Sequence, residues 1–532
     1  MIRPALSSPA RFAAPPAAMG LLLALLASPG CQSERTPATA PEVTRGTPTG
    51  ESRPPASEPA LEVTNETPVD EAPGQDPQVE PHLVVDPQNP SHLVVAWMSV
   101  SAGPWEVRLA RSTDGGRTWR RRPSPAAAET WRAFDPWLAW APDGSALYLA
   151  LVEVRPGSDG GQEWRLPVFR SHDGGESWTR WAEVPGQTLD RPVLLAGGSA
   201  VFVLASEAVG AAPIVVASSA DDEGEFRVRS RYRPPDGLQI LSGAVLTGDS
   251  ELVFSFTDRT SLQDGRAKPL IAVPFDDQTK RFGEPRRLGS TLFIGAPQLA
   301  FDDSPDSPHR GRLYSAWGDR TGGGVASLKV ALSDDSGGTW SEPVTIAAGR
   351  PATSFITMPA ATVDPRGRLG VAWREHVGDL ATGCSTVHFA VSLDGGASFP
   401  LRREVTPEPS CPDRPANRLD LGGIPLLDRW PGGGDYAGLA VGGDGVFHPL
   451  WADSRAGAWR IRAARIELTP DASENGARTG RARGRSASGA PRDRRSCPSA
   501  TTSPSTVTSA RTPRWRSGCS LQEKDISAAW KP

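Results

Sequence analysis

The sequence predicts an all-β protein, a β-propeller assembled from seven four-stranded antiparallel blades. Three observations predict it. Gly and Pro together supply 108 of the 532 residues and Trp another 17, a balance that favours tight turns and short strands over long surface helices. Four turns share one residue pattern, and the members of the first pair and of the last pair each stand 59 residues apart. Around those turns one order of segments recurs: apolar strand, Gly/Asp turn, apolar strand, variable loop, third strand, Asp-Gly turn, fourth strand. A ring of six blades is the alternative count.

At the N-terminus, Arg3 and Arg11 precede an apolar run from Met19 to Ala27 and then Ser28-Pro29-Gly30-Cys31, the charged, apolar, small order of an export signal over residues 1–31. The run is too short to span a bilayer. Cys31 behind small residues resembles the lipobox cysteine of bacterial lipoproteins, which implies a lipid anchor and a place in the cell envelope, periplasmic or on the outer-membrane surface. Plain secretion is the alternative, since Ser28 stands where a lipobox usually has Leu. Residues 32–78 are rich in Pro, Thr and Glu and nearly lack aromatics, so they bury too little apolar surface to offset ordering entropy and read as a disordered linker. The repeats occupy 79–468, and 469–532 read as a disordered, basic Arg/Ser-rich tail.

The recurring turns are Ser112 to Trp119, Ser171 to Trp178, Ser333 to Trp340 and Ser392 to Phe399, with a degenerate fifth from Ser219 to Phe226. They follow the Asp-box pattern Ser-x-Asp-x-Gly-x-Thr-Trp. Asp114, Asp173, Asp335 and Asp394 are placed to accept hydrogen bonds from their own turns, Gly permits a positive φ, and Trp119, Trp178, Trp340 and Phe399 are placed to pack between sheets, a structural and not a chemical role. Seven units begin near residues 80, 135, 190, 238, 295, 357 and 435. The seventh shows three strands, and Leu61-Glu62-Val63-Thr64 is a candidate for the outer strand that closes the ring.

Antiparallel strands sort their connections onto two faces. The Asp boxes share one face with the short turns between first and second strands; the other receives longer, charged connections. There the second strands end in Glu153, Glu207, Asp258-Arg259, Asp319-Arg320, Arg374-Glu375-His376 and Asp453-Ser454-Arg455, and the first strands start at Asp135, Asp190-Arg191 and Asp435-Tyr436. Charges at equivalent places in several blades converge on the central channel, which makes Arg191, Arg320, Arg374, Arg455, Asp319, Asp435 and Asp453 candidate ligand-binding residues. The competing reading is that each Arg pairs with a neighbouring Asp and ties blades together.

A formal charge of −4 gives no field for nucleic acid or an anionic membrane. No cofactor or metal is expected: His82, His92, His376, His388 and His448 lack zinc spacing, and Asp302, Asp303 and Asp306 read as a solvated acidic turn and not a calcium loop. In an oxidising compartment Cys384 and Cys411 are a candidate disulfide, with free buried thiols the alternative; Cys497 and Cys519 fall in the tail.

The Asp boxes, the blade plan and the export signal together resemble the sialidase-like superfamily of Asp-box (BNR-repeat) propellers over residues 80–468. In the sialidases proper, three Arg hold a substrate carboxylate, a Tyr assisted by a Glu is the nucleophile, and an Asp is the acid/base catalyst. The resemblance implies Tyr436 as nucleophile, Glu375 as its base, Asp135 or Asp190 as acid, and Arg191, Arg320, Arg374 and Arg455 as clamp candidates. Departures are the absence of the early Phe/Tyr-Arg-Ile-Pro strand and seven units in place of the classical six. Three functions follow from this reading: binding of a glycan or other small ligand at the charged mouth, hydrolysis as an exo-sialidase or other glycoside hydrolase, or a non-catalytic scaffold for a protein partner.

Overall fold

Second strands such as Leu93–Ser99 and Phe447–Asp453 are apolar at nearly every position, and a strand buried on both sides must lie between two other sheets. The computed structural model describes residues 59–469 apart from 71–75, 104, 127–130, 209–212, 221–222, 235–239, 258–265, 293–297, 320–325 and 350–352. Those residues form seven antiparallel sheets. Blade one pairs Gln78–Val85, Leu93–Ser99, Glu106–Ser112 and Arg120–Arg122 in order. Blade two begins at Arg132, blade three at Leu189, blade four at Ile240, blade five at Gln298 and blade six at Thr353, each adding strands outward from the first. Blade seven orders Gly438–Val441, Phe447–Asp453, Arg460–Leu468 and then Leu61–Pro68 from the other end of the chain.

Seven clusters of buried apolar side chains fill the spaces between consecutive blades. One joins Val94 and Leu109 of blade one to Leu147 and Phe169 of blade two. Another joins Leu83 and Trp97 of blade one to Leu450 and Trp459 of blade seven, and it is this seventh interface that makes the assembly a ring. The six-bladed alternative is thereby excluded.

Ring closure corrects the linker boundary. Leu61 pairs with Leu468 and Pro68 with Arg462, and Gln78 opens blade one, so the stretch 61–68 and residue 78 belong to the propeller and not to a linker ending at residue 78. Leu61 is buried against blade six, and Glu66 takes ion pairs from both Arg455 and Arg462. The strand is the Leu61-Glu62-Val63-Thr64 candidate extended to Pro68; the linker boundary fell too late because the strand's Thr, Glu and Pro content matches the residues before it, and only its partner strand supplies the burial.

The four Ser-x-Asp turns have one hydrogen-bond plan. In the first, Ser112 Oγ donates to Asp114 Oδ1 at 2.8 Å, Asp114 Oδ1 accepts the Thr118 N–H at 2.9 Å, and Ser112 Oγ accepts the Gly116 N–H at 2.8 Å. Turns at Asp173, Asp335 and Asp394 repeat it. Gly116 takes φ +82°, where any side chain would be strained. The closing aromatics pack on the preceding blade, Phe399 buried and Trp119, Trp178 and Trp340 half-buried. These turns meet the turns between first and second strands of the preceding blade: Gly174 O lies 2.9 Å from His92 Nε2, and Gly395 O accepts from Arg312 Nη1 at 3.0 Å. One face of the ring is built from such corners, and the charged connections lie on the other.

Candidate functional site

The innermost strands of four blades share a feature that positions the site. Glu80, Asp135, Arg191 and Met358 each precede a proline and adopt positive φ, from +48° to +54°. At each place the pairing with the second strand slips. Proline lacks an N–H, so it tolerates the interrupted ladder, and the bulge turns the preceding side chain out of the sheet. Each such residue stores roughly 1–3 kcal/mol of backbone strain, which the packed ring holds in place.

Three of the four bulge residues meet over the channel with blade seven. Arg191 Nη1 reaches Asp435 Oδ2 at 3.0 Å, joining blade three to blade seven, and the Arg191 N–H donates to Asp135 Oδ2 at 3.2 Å. Glu80 Oε1 accepts the Asp435 N–H at 3.3 Å, and the Glu80 and Asp135 carboxyls lie close enough to act on each other. Arg429 Nη1 adds two 3.2 Å contacts to the Asp435 carboxylate. Tyr436 OH donates to the Pro136 carbonyl at 3.4 Å, and its ring meets the edge of Trp137, which in turn stacks on His82.

Burial governs the protonation of this group. Desolvation, followed by the charge of Glu80, lifts Asp135 well above the usual carboxylate range; desolvation and Asp435 raise Glu80. Both carboxyls therefore hold their protons to higher pH than exposed carboxyls do. Tyr436 is pushed well above its ordinary value by burial and by the nearby carboxylates, so its phenol stays neutral. His82 is held neutral by burial, lowered to about 3, and its Nδ1 accepts the Leu138 N–H.

The structure brings together Asp135, Arg191, Asp435 and Tyr436, with half-buried Asp190 close enough to act on Arg429. It does not bring Glu375 to Tyr436. Glu375 accepts from Trp373 Nε1 at 3.2 Å and lies 3.9 Å from His388 Nε2, on the strand face turned to blade five, whereas Tyr436 reaches across to blade two. Arg374 points the other way, donating to Ser385 Oγ and the Ala452 carbonyl of blade seven, with burial lowering its pKa to about 10. Asp453 binds Arg455 at 2.9 and 3.0 Å, and Arg455 continues to Glu66. Arg374 ties blade six to blade seven, and Arg455 ties the closing strand to its sheet. Asp319 ends its strand half-buried, and Arg320 and Cys31 lie outside the described residues. Asp302 is fully buried and not solvated: it accepts from the Ser304 N–H and Ser307 Oγ of its own turn. No group of three His, Cys, Asp or Glu able to hold a metal occurs among the described residues.

Sequence reasoning missed Glu80, Arg429 and an aromatic wall. Arg429 ends the short helix Leu426–Arg429 inside the connection 405–437, whose start is pinned by the Cys384–Cys411 disulfide. The next residue, Trp430, is buried under Trp105, and Trp105 meets Phe134, which meets Trp164. Trp105 and Trp164 are half-buried, and the Arg132 guanidinium lies 5.5 Å from the centre of the Trp105 ring. A signal for Glu80 was present: residue-Pro pairs at 80, 135 and 191 recur at the spacing of the blades.

The chain is thus a seven-bladed β-propeller with a buried carboxyl–guanidinium cluster over its axis. No family model matches it, and no curated protein does. Among solved structures it is similar to a Dyadobacter fermentans protein of unknown function, at 13% identity over 77% of this chain and 100% of that one, TM-score 0.42. It is also similar to the α-L-arabinofuranosidase of Fusarium graminearum (14%, 77% and 99%, TM-score 0.41) and to the phage phi92 endosialidase (11%, 77% and 70%, TM-score 0.43). The assignment of the fold rests on the seven sheets and their closure.

Proposed function

We propose that the protein is an exported cell-envelope lipoprotein of the sialidase-like, Asp-box type whose propeller binds a glycan at the charged mouth. One observation carries the reading: carboxyls and guanidinium groups from blades one, two, three and seven converge with Arg429, and half-buried Trp105 packs on Trp430, the residue after Arg429. Sugars are recognised by that combination, hydroxyls by charged groups and the apolar ring face by an aromatic. Screening the purified protein on a glycan array, then titrating the best ligand by calorimetry, tests it. Trp105→Ala and Arg429→Ala are expected to weaken binding by about tenfold or more. A folded protein that retains no glycan sinks the reading, and retention of a polypeptide alone moves it to the scaffold class.

A hydrolytic reading has one observation in its favour, the two buried carboxyls of Glu80 and Asp135 side by side, each raised above the ordinary carboxylate range by desolvation first, as a general acid needs. New reducing ends released from the bound glycan support it; their absence leaves a binding protein. Anchoring through Cys31 is tested by Cys31→Ser: the variant is expected to leave the membrane fraction, and a variant still membrane-bound removes the lipid anchor.

A further inference from the structure

The corner face carries a second charged site, at the outer rim of the gap between blades one and two. In the last ladder of blade one Arg111 stands directly opposite Arg120, and Arg122 follows two residues on, so three guanidinium groups share the strand face that Leu109 turns toward blade two. Like charges set opposite each other in a sheet cost stability. Charge on an edge strand keeps it from pairing with another chain, but Arg121 on the other face serves that end as well, and edge protection calls for no cavity. Here the three arginines line a cavity of about 340 Å³ together with Glu176 and the Asp114 turn. Asp114 is occupied by its own turn: Oδ1 accepts from Ser112 Oγ and from the N–H groups of Arg117 and Thr118, and Oδ2 accepts from Thr118 Oγ1. Glu176 Oε1 accepts from Arg111 Nη1 and, at 2.9 Å, from Arg122 Nη2. Arg111 Nε is buried without an acceptor, and exposed Arg120 has no hydrogen bond or ion pair among the described residues. Both turns that frame the cavity, 112–119 and 171–178, are described throughout, as is the strand Arg120–Arg122.

We propose that this cavity binds a phosphate monoester, its phosphate seated among Arg111, Arg120 and Arg122 and its organic group in the remaining volume. A phosphate monoester brings close to two negative charges at neutral pH and three strong acceptor oxygens, which suits donors converging from three guanidinium forks. A carboxylate brings two oxygens and one charge, the contribution that Glu176 already makes. Glu176 also aligns Arg111 and Arg122 beforehand, so that of the three arginines the ligand has only Arg120 left to order. The same chemistry is offered by a soluble glycerol or sugar phosphate and by the headgroup of a lipid such as phosphatidic acid. The site lies on the face opposite the mouth and does not depend on the glycan reading.

Calorimetry at pH 7 with glycerol phosphate and with glycerate, its carboxylate counterpart, tests this. Flotation of the Cys31→Ser protein, in which no lipid anchor contributes, with phosphatidylcholine vesicles containing or lacking phosphatidic acid distinguishes the two sources. Glycerol phosphate is expected to bind at least about tenfold more tightly than glycerate if the source is soluble, and flotation is expected to require phosphatidic acid if the source is a lipid. In whichever assay binds, Arg120→Ala is expected to weaken the interaction by about tenfold with the denaturation midpoint unchanged, because that side chain holds nothing else. Arg121→Ala, on the other face of the same strand, is expected to leave it within about twofold. Equal binding of glycerate, an equal loss in Arg121→Ala, or neither glycerol phosphate binding nor flotation that requires phosphatidic acid overturns the proposal, and none of these results bears on the mouth.

Discussion

A chain beginning at residue 71 is expected to lose the propeller as a stable monomer. Without Leu61–Pro68, blade seven keeps three strands and the ladder side of Arg460–Leu468 is bare. The loss comprises buried Leu61 and Val69, the hydrogen bonds of the outer ladder, and both ion pairs of Glu66. Two buried aliphatics at about 2 kcal/mol each, with ladder hydrogen bonds at about 1 kcal/mol each, sum to on the order of 5–10 kcal/mol. A typical folded domain has only about 5–15 kcal/mol in hand. Denaturant melts and size-exclusion chromatography are expected to show either an unfolded chain or oligomers joined through the open edge. A truncated monomer with an unchanged midpoint would show that the strand does not close the ring.

Acid is expected to unfold the protein from about pH 6 downward, well before its carboxylates titrate. His82, His376 and His448 are buried and each is lowered to about 3, by desolvation first and, for the last two, by nearby arginines. In the unfolded chain they take a proton near the ordinary value of 6.5 while the folded protein excludes it. Their contribution is therefore whole above pH 6.5 and is lost as pH falls toward 3, at up to about 1.4 kcal/mol per pH unit for each histidine. The Glu80–Asp135 pair has the opposite sign, stabilising below the ordinary carboxylate range and losing that contribution as pH rises through its raised value. Chemical denaturation at pH 7 and pH 5 measures the sum, and His448→Gln, which no longer titrates, is expected to flatten the slope by about a third. A slope unchanged by His448→Gln would mean that this histidine is protonated in place.

Blade number and turn positions were legible because a repeated corner has to satisfy the same backbone groups each time, and only Ser, Asp and Gly at fixed offsets do so. The cluster over the channel was half legible. Strand direction shows which residues reach the mouth, and it gathered Asp135, Arg191, Asp435 and Tyr436. It does not show which side of the strand a residue takes once a bulge intervenes. Arg374 and Glu375 are neighbours in sequence and so point to opposite blade interfaces, away from Tyr436. Glu80 was hidden in Gln78–Val85, where it reads as one polar residue in an apolar strand. Arg429 depends on a long connection held by the Cys384–Cys411 bridge, and no periodicity describes such a segment.

The two described ends of the chain leave the ring side by side. Thr469 N–H donates to the Ala60 carbonyl at 2.9 Å, and Arg465 of the last strand reaches Gly115 in the first Ser-x-Asp turn. Both ends therefore emerge on the corner face, opposite the mouth. A cargo joined to either of these ends lies across the ring from the doorway and leaves it clear.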